Sequence, residues 1–165
     1  MTKKLTVSAL LVALAMILSY LETLIPFNFG LPGVKLGLAN LVVVCALYLL
    51  DTRSAFLISM VRILLIAFTF GSLAALLYSL AGGLISFAVM ALLRRNEGFS
   101  VIGVSVAGGV THNIGQLLAA VLIVENLNLF FYVPVLIIAG LITGLLIGII
   151  SKYVIPPVKK AVRQM

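Results

Sequence analysis

The chain has 165 residues, 64% of them hydrophobic and 9% charged, with a formal net charge of +7 and a mean hydropathy of +1.34. A soluble domain is about half apolar and roughly a quarter charged, so this composition excludes one. It points instead to a single all-α membrane domain over residues 1–165, a bundle of about six spans of ~20 residues each. One cysteine, Cys45, allows neither an internal disulfide nor a cysteine-built metal site, and its burial in a helix is the plain reading.

Lys3 and Lys4 precede an apolar run that continues to Ile25. That run is longer than the apolar region of a signal peptide and lacks a small-residue cleavage site, which predicts a retained first span over 5–25. Within it Ala9 and Ala13 stand four apart, a pair small enough to admit another helix closely. Glu22 lies near the far end of this span. The following loop, 26–35, holds two prolines, two glycines and two phenylalanines and is no regular helix. It reads either as a lid folded over the bundle or as an interfacial loop anchored by its aromatics.

Span two is expected over 36–50, with Asn40 inside it, and the charged turn Asp51-Thr52-Arg53 follows. Span three, 54–70, carries Arg62. Spans two and three are short enough to be partly shielded from lipid. Gly71-Ser72 turns the chain into span four, which contains Tyr78 and continues to Leu93. The polar loop 94–98 leads to span five, 101–124, and a sixth span is expected over 129–153, followed by a solvated basic tail from Pro156. Ser79-Leu-Ala-Gly-Gly and Ser105-Val-Ala-Gly-Gly are alike; an internal repeat and two close-packing glycine patches both account for the likeness.

With six spans and an inside N-terminus, Lys3, Lys4, Arg53, Arg94, Arg95, Lys152, Lys159, Lys160 and Arg163 fall on one side, nine of the 11 Lys+Arg. The positive-inside rule makes that side, and both termini, cytoplasmic, and the locale a cell membrane. The excess positive charge is then a topology signal, and nucleic acid is excluded as a partner.

Polar residues inside spans are the functional candidates, because each is costly in hydrocarbon unless it faces a bundle interior or a wet cavity. Arg62 stands nine residues into its span, roughly 13 Å deep at 1.5 Å per residue. The only histidine, His112, lies at similar depth, with Gln116 one helical turn along and Asn113 beside them. Each has a purely structural reading, as a contact to backbone carbonyls, Tyr78 or neighbouring amides. Taken with Asn40, they point to one shared cavity that opens towards Glu22, Asn28 and Lys35, a site that leans cationic and suits a small anionic or polar-headed ligand. Glu22 and Lys35 also read simply as an interfacial pair. The candidate ligand-binding set is therefore Arg62, His112, Asn113, Gln116, Asn40, Lys35 and Tyr78. No catalytic residues are assigned: the chain has one histidine and four acidic residues, no phosphate-binding G-x-x-x-x-G-K-[ST] loop and no His/Glu cluster with metal spacing, and neither a metal nor another cofactor is expected.

Three motifs carry a resemblance to a known family: Leu31 to Leu41 (LPGVKLGLANL), the run Arg62…Phe70-Gly71-Ser72…Tyr78-Ser79-Leu80-Ala81-Gly82-Gly83, and Ala107 to Gln116 (AGGVTHNIGQ). Over nearly the whole chain they resemble the bacterial family called heptaprenyl diphosphate synthase component I, also called the Gx transporter family. That family resembles the substrate-binding S components of energy-coupling factor (ECF) transporters, six-helix membrane proteins that bind vitamins or related small molecules. The resemblance implies uptake of a small, anionic or vitamin- or prenoid-like ligand, with a transmembrane coupling subunit and ATPases as partners. It also implies a role for Ala9 and Ala13, since the first helix of S components commonly docks through small alanines. The synthase name implies the alternative, a non-catalytic membrane subunit in isoprenoid or menaquinone biosynthesis. Prenyl diphosphate synthases hold Mg²⁺-diphosphate on paired aspartate-rich motifs, and this chain has a single aspartate, Asp51.

Overall fold

A computed structural model of the chain describes residues 2–24 and 37–164. Its helices are α1 (Thr2–Leu24), α2 (Asn40–Leu49), α3 (Thr52–Phe70), α4 (Leu73–Arg94), α5 (Val101–Val124) and α6 (Val133–Gln164), with a 3₁₀ segment (Leu127–Tyr132) before α6. Among the described residues five helices are long and apolar enough to cross a membrane, and α2 is a shorter apolar sixth. The protein is an all-α polytopic membrane bundle.

The expected span boundaries fall close to these elements, because polar caps stop each apolar run. Asp51 accepts the Ser54 N–H at 3.3 Å, Ser72 the Ala75 N–H at 3.2 Å and Ser100 the Gly103 N–H at 3.1 Å, so each opens a helix as its N-cap. Two expectations need correction. The second span is a helix of 10 residues, about 15 Å long, half of a ~30 Å hydrocarbon core. It is shielded from lipid far more than partly: seven of those residues are buried. The sixth helix also does not end at 153: α6 runs on through Pro156 and Pro157 to Gln164, so the basic tail, with Lys159, Lys160 and Arg163 exposed as expected, is helical. Proline removes a helix N–H and crowds the preceding turn, but Ile155 is buried before the pair and Val162 packs on the core after it, which holds the segment helical.

Helices α1, α3, α4, α5 and α6 pack in that order, and α2 packs against α1, α3 and α6 and touches α5. The α5 contacts with α4 and α6 are the most extensive. Bare backbone makes them possible. A Cβ at Gly144 would stand 2.7 Å from the Val106 Cα, and one at Gly115 would stand 2.9 Å from the Gly82 Cα. The two Ala-Gly-Gly elements are therefore helix-packing patches, Gly82 against α5 and Gly109 against α6. Ser86 donates to the Gly108 carbonyl and Ser105 to the Gly144 carbonyl, each at 2.8 Å, so the same crossings are tied by hydrogen bonds.

One end of the bundle gathers the cations. Lys4 Nζ lies 2.5 Å from Asp51 Oδ1, and the Arg94 guanidinium stands 5.3 Å from the centre of the Tyr48 ring. The start of α1, the α2–α3 turn, the α4–α5 turn and the end of α6 thus meet there. Beneath them lies a dry core of Val42, Val43, Val44, Leu47, Met90, Val104 and Ile147, with Phe56 and Phe87 edge to face at 5.3 Å. Leucines and isoleucines cover the outside, among them Leu10, Ile17, Leu122 and Ile142.

Candidate functional site

Among the described residues α2 begins at Asn40, and the space beyond its N-terminus is bordered by α1, α3, α4 and α5. A cavity of about 40 Å³ occupies that space, lined from α1 by Ser19 and Glu22, from α3 by Arg62, Ile63, Ile66 and Ala67, and from α5 by His112 and Gln116. Gly37 and Ala75 are among the residues that complete it. His112 also borders a second, inner cavity of about 10 Å³, with Asn40, Asn113, Ser105 and Thr143 on its wall. Val44, Met90 and Ile147 line this inner cavity too, and all three belong to the dry core or lie against it, so the polar track ends blind.

Arg62 is anchored by one terminal nitrogen, which donates to Asn40 Oδ1 at 3.3 Å. Glu22, on the α1 face, accepts the Gly37 N–H and stands close enough to act on the Arg62 charge. Three atoms on this wall make no hydrogen bond of ordinary geometry among the described residues, Arg62 Nε, Gln116 Oε1 and His112 Nδ1, although the His112 ring lies against the Gly82 backbone. Their side chains are 6%, 5% and 1% exposed. Native proteins pair over nine-tenths of such buried groups, with each orphan costing about 1–3 kcal/mol. Three on one small cavity mark it as a place where something else supplies the partners.

Helix packing sets the position of these groups. Gly82 of α4 passes directly over His112 and Gln116; a Cβ there would lie 2.7 Å from the His112 carbonyl oxygen and from Gln116 Cγ. Any larger residue would push α4 off α5 and open the wall. His112 and Gln116 are one turn apart on α5, so a single helix face presents both.

Of the residues expected at one site, Arg62, His112 and Gln116 share the outer cavity. Asn40 and Asn113 line the inner one, and Asn113 donates to the Leu136 carbonyl of α6 at 2.9 Å. Tyr78 packs elsewhere, in a second apolar cluster with Leu117, Val121 and Leu136. Lys35, Asn28 and the loop 26–34 lie outside the described residues. Ala9 and Ala13 are exposed on the outer face of α1. Ser19 and Gly37 are additions to the expected set, and Glu22, expected towards the opening of the cavity or in an interfacial pair with Lys35, lines the cavity itself. The signal was there in the spacing: Val7, Leu11, Ala15, Ser19 and Glu22 form one inward stripe of α1, and all five are buried. Glu22 therefore belongs to the interior, and the site carries a carboxylate beside its cation.

The sequence pattern of heptaprenyl diphosphate synthase component I matches residues 11–154. The chain belongs to this family. The match takes in all the cavity-lining residues, from Ser19 on α1 to Gln116 on α5. No curated protein and no solved structure matches the chain.

Proposed function

We propose that this chain is a non-catalytic membrane subunit that holds a small polar-headed ligand in the blind cavity beyond α2 and works with a separate partner subunit. The observation that carries this reading is the set of three orphaned, buried polar atoms on Arg62, His112 and Gln116 around one space. A closed floor suits binding rather than conduction. The family description speaks of a component I of a heptaprenyl diphosphate synthase, which implies a second component. With one aspartate in the chain, metal–diphosphate chemistry falls to that other component. Purification from native membranes tests this. A co-purifying soluble prenyltransferase supports the subunit reading, and its absence at every salt concentration tried counts against it.

The second reading is uptake: a substrate-binding subunit of the S-component type, served by a transmembrane coupling subunit and ATPases. What favours it is the outward-facing Ala9/Ala13 surface of α1, where small side chains let a partner helix approach. Ala9→Trp combined with Ala13→Trp then abolishes capture of the coupling subunit and leaves ligand binding intact. Undiminished capture removes this reading. Both readings place the cation-rich end in the cytoplasm, on the charge count. A cysteine at Asn96 in a Cys45→Ala background is then silent to a membrane-impermeant thiol reagent added to intact cells, and labelling there would invert the topology.

A further inference from the structure

The charges and volume of the outer cavity say what kind of head it takes, granted the reading of that cavity as a ligand site. We propose that it recognises an uncharged head presenting a hydrogen-bond acceptor and a donor side by side, as on an amide, ureide or lactam edge, and that it rejects phosphate and diphosphate heads.

The open positions are of mixed sign. Arg62 Nε is a donor seeking an acceptor, and Gln116 Oε1 is an acceptor seeking a donor. His112 Nδ1 serves as either, according to its tautomer. A ureide or lactam edge answers both Arg62 and Gln116 at once. A phosphate carries about −1.5 to −2 charges near neutral pH and is almost wholly an acceptor, so it can pair with Arg62 and with the amide nitrogen of a turned Gln116, but it brings a charge that a neutral edge does not. Glu22 makes this worse, because its carboxylate lines the same cavity and already offsets the one buried cation. Burying the surplus negative charge there costs several kcal/mol that no second described cation on this wall repays.

Size points the same way. A cavity of about 40 Å³ has room for roughly three times the ~10–15 Å³ that one water needs. That accommodates a head of a few heavy atoms and is small for a diphosphate. Ile63, Ile66, Ala67 and Ala75 give part of the lining an apolar surface, and Ser19 and Ser79 add hydroxyls to it.

Two probes with one tail test this: N-octylurea and octyl phosphate, titrated against the full chain in nanodiscs of zwitterionic lipid. N-octylurea is expected to bind at least about tenfold more tightly, well within the cost of burying the surplus charge. Glu22→Gln is expected to raise octyl phosphate affinity and erase most of the preference, and Gln116→Met, which keeps the side chain's length and removes its amide, to weaken N-octylurea about tenfold. Equal binding, preference for octyl phosphate, binding of neither probe, or a preference that Glu22→Gln leaves unchanged overturns the proposal. Its failure is separable from that of the subunit reading, since a prenyltransferase that co-purifies while octyl phosphate wins overturns the head-group assignment alone.

Discussion

The two halves of this bundle are built from the same helices and differ in what fills them. Towards the cation-rich end α2 packs between α1, α3 and α6, and its buried run from Val42 to Leu47 makes a dry core with Val104 and Ile147. Towards the other end α2 is absent, and Ser19, Glu22, Arg62, His112 and Gln116 face a cavity. The lesson is that a helix half the membrane's thickness sets both the floor of a pocket and its depth, and that the costly polar residues collect where that helix stops.

The comparison breaks most severely where both halves depend on close helix contact. Gly144→Leu would drive a side chain against the Val106 backbone, which cannot yield as a flexible side chain does. Loss of the monodisperse folded protein on gel filtration in mild detergent is the expected outcome, and wild-type behaviour would mean that α5 and α6 are not in that contact. Within the dry half, Leu47→Ala empties a fully buried site and should lower unfolding free energy by about 2–5 kcal/mol in a detergent-based denaturation series. The wet half should answer in the opposite sense. Gln116→Leu removes an orphaned acceptor, so stability should hold or rise by about 1 kcal/mol while N-octylurea affinity drops about tenfold. A loss of stability like that of Leu47→Ala would show that the two halves are the same kind of core.

The smallest effect belongs to the rim of the dry half. Lys4, beside Asp51 and hydrogen-bonded to it, holds that carboxyl well below its ordinary 3.8, with Ser54 assisting. The folded chain therefore binds this proton less readily than the unfolded chain does. The contribution is complete above about pH 4 and is lost as pH falls towards the depressed folded value. Asp51→Asn should separate slightly from the parent protein in thermal unfolding at pH 7, and the two curves should converge on acidification. Since both side chains are half exposed, added salt should narrow the gap as well. A gap that widens in acid would mean the pair does not stabilise this end.

Much of this was legible in the residues. The apolar runs and the turns at 51–53, 71–72 and 94–98 marked helices α3, α4 and α5 to within a residue or two, because backbone hydrogen bonding in hydrocarbon leaves a long apolar run little choice but a helix. Arg62, His112 and Gln116 were conspicuous for the same reason: in so apolar a chain a buried charge or amide needs a common space. What stayed hidden depended on contacts between distant segments. The place of Tyr78 in a core beside Leu117 and Leu136, rather than at the cavity, follows from how far α4 is rotated against α5, which Gly82 and Gly115 set by close approach. The helical continuation through Pro156 and Pro157 rests on the packing of Val162 against a core that includes Val7, some 150 residues away. Composition and spacing alone thus determined a membrane bundle, its charge asymmetry and the polar residues that had to be accounted for. Only the tertiary structure decided that α2 stops half way, that Glu22 turns inward to share Arg62's cavity, and that the polar track closes against Val44 and Ile147. Those outcomes are set by which helix faces meet, and no local pattern carries that information.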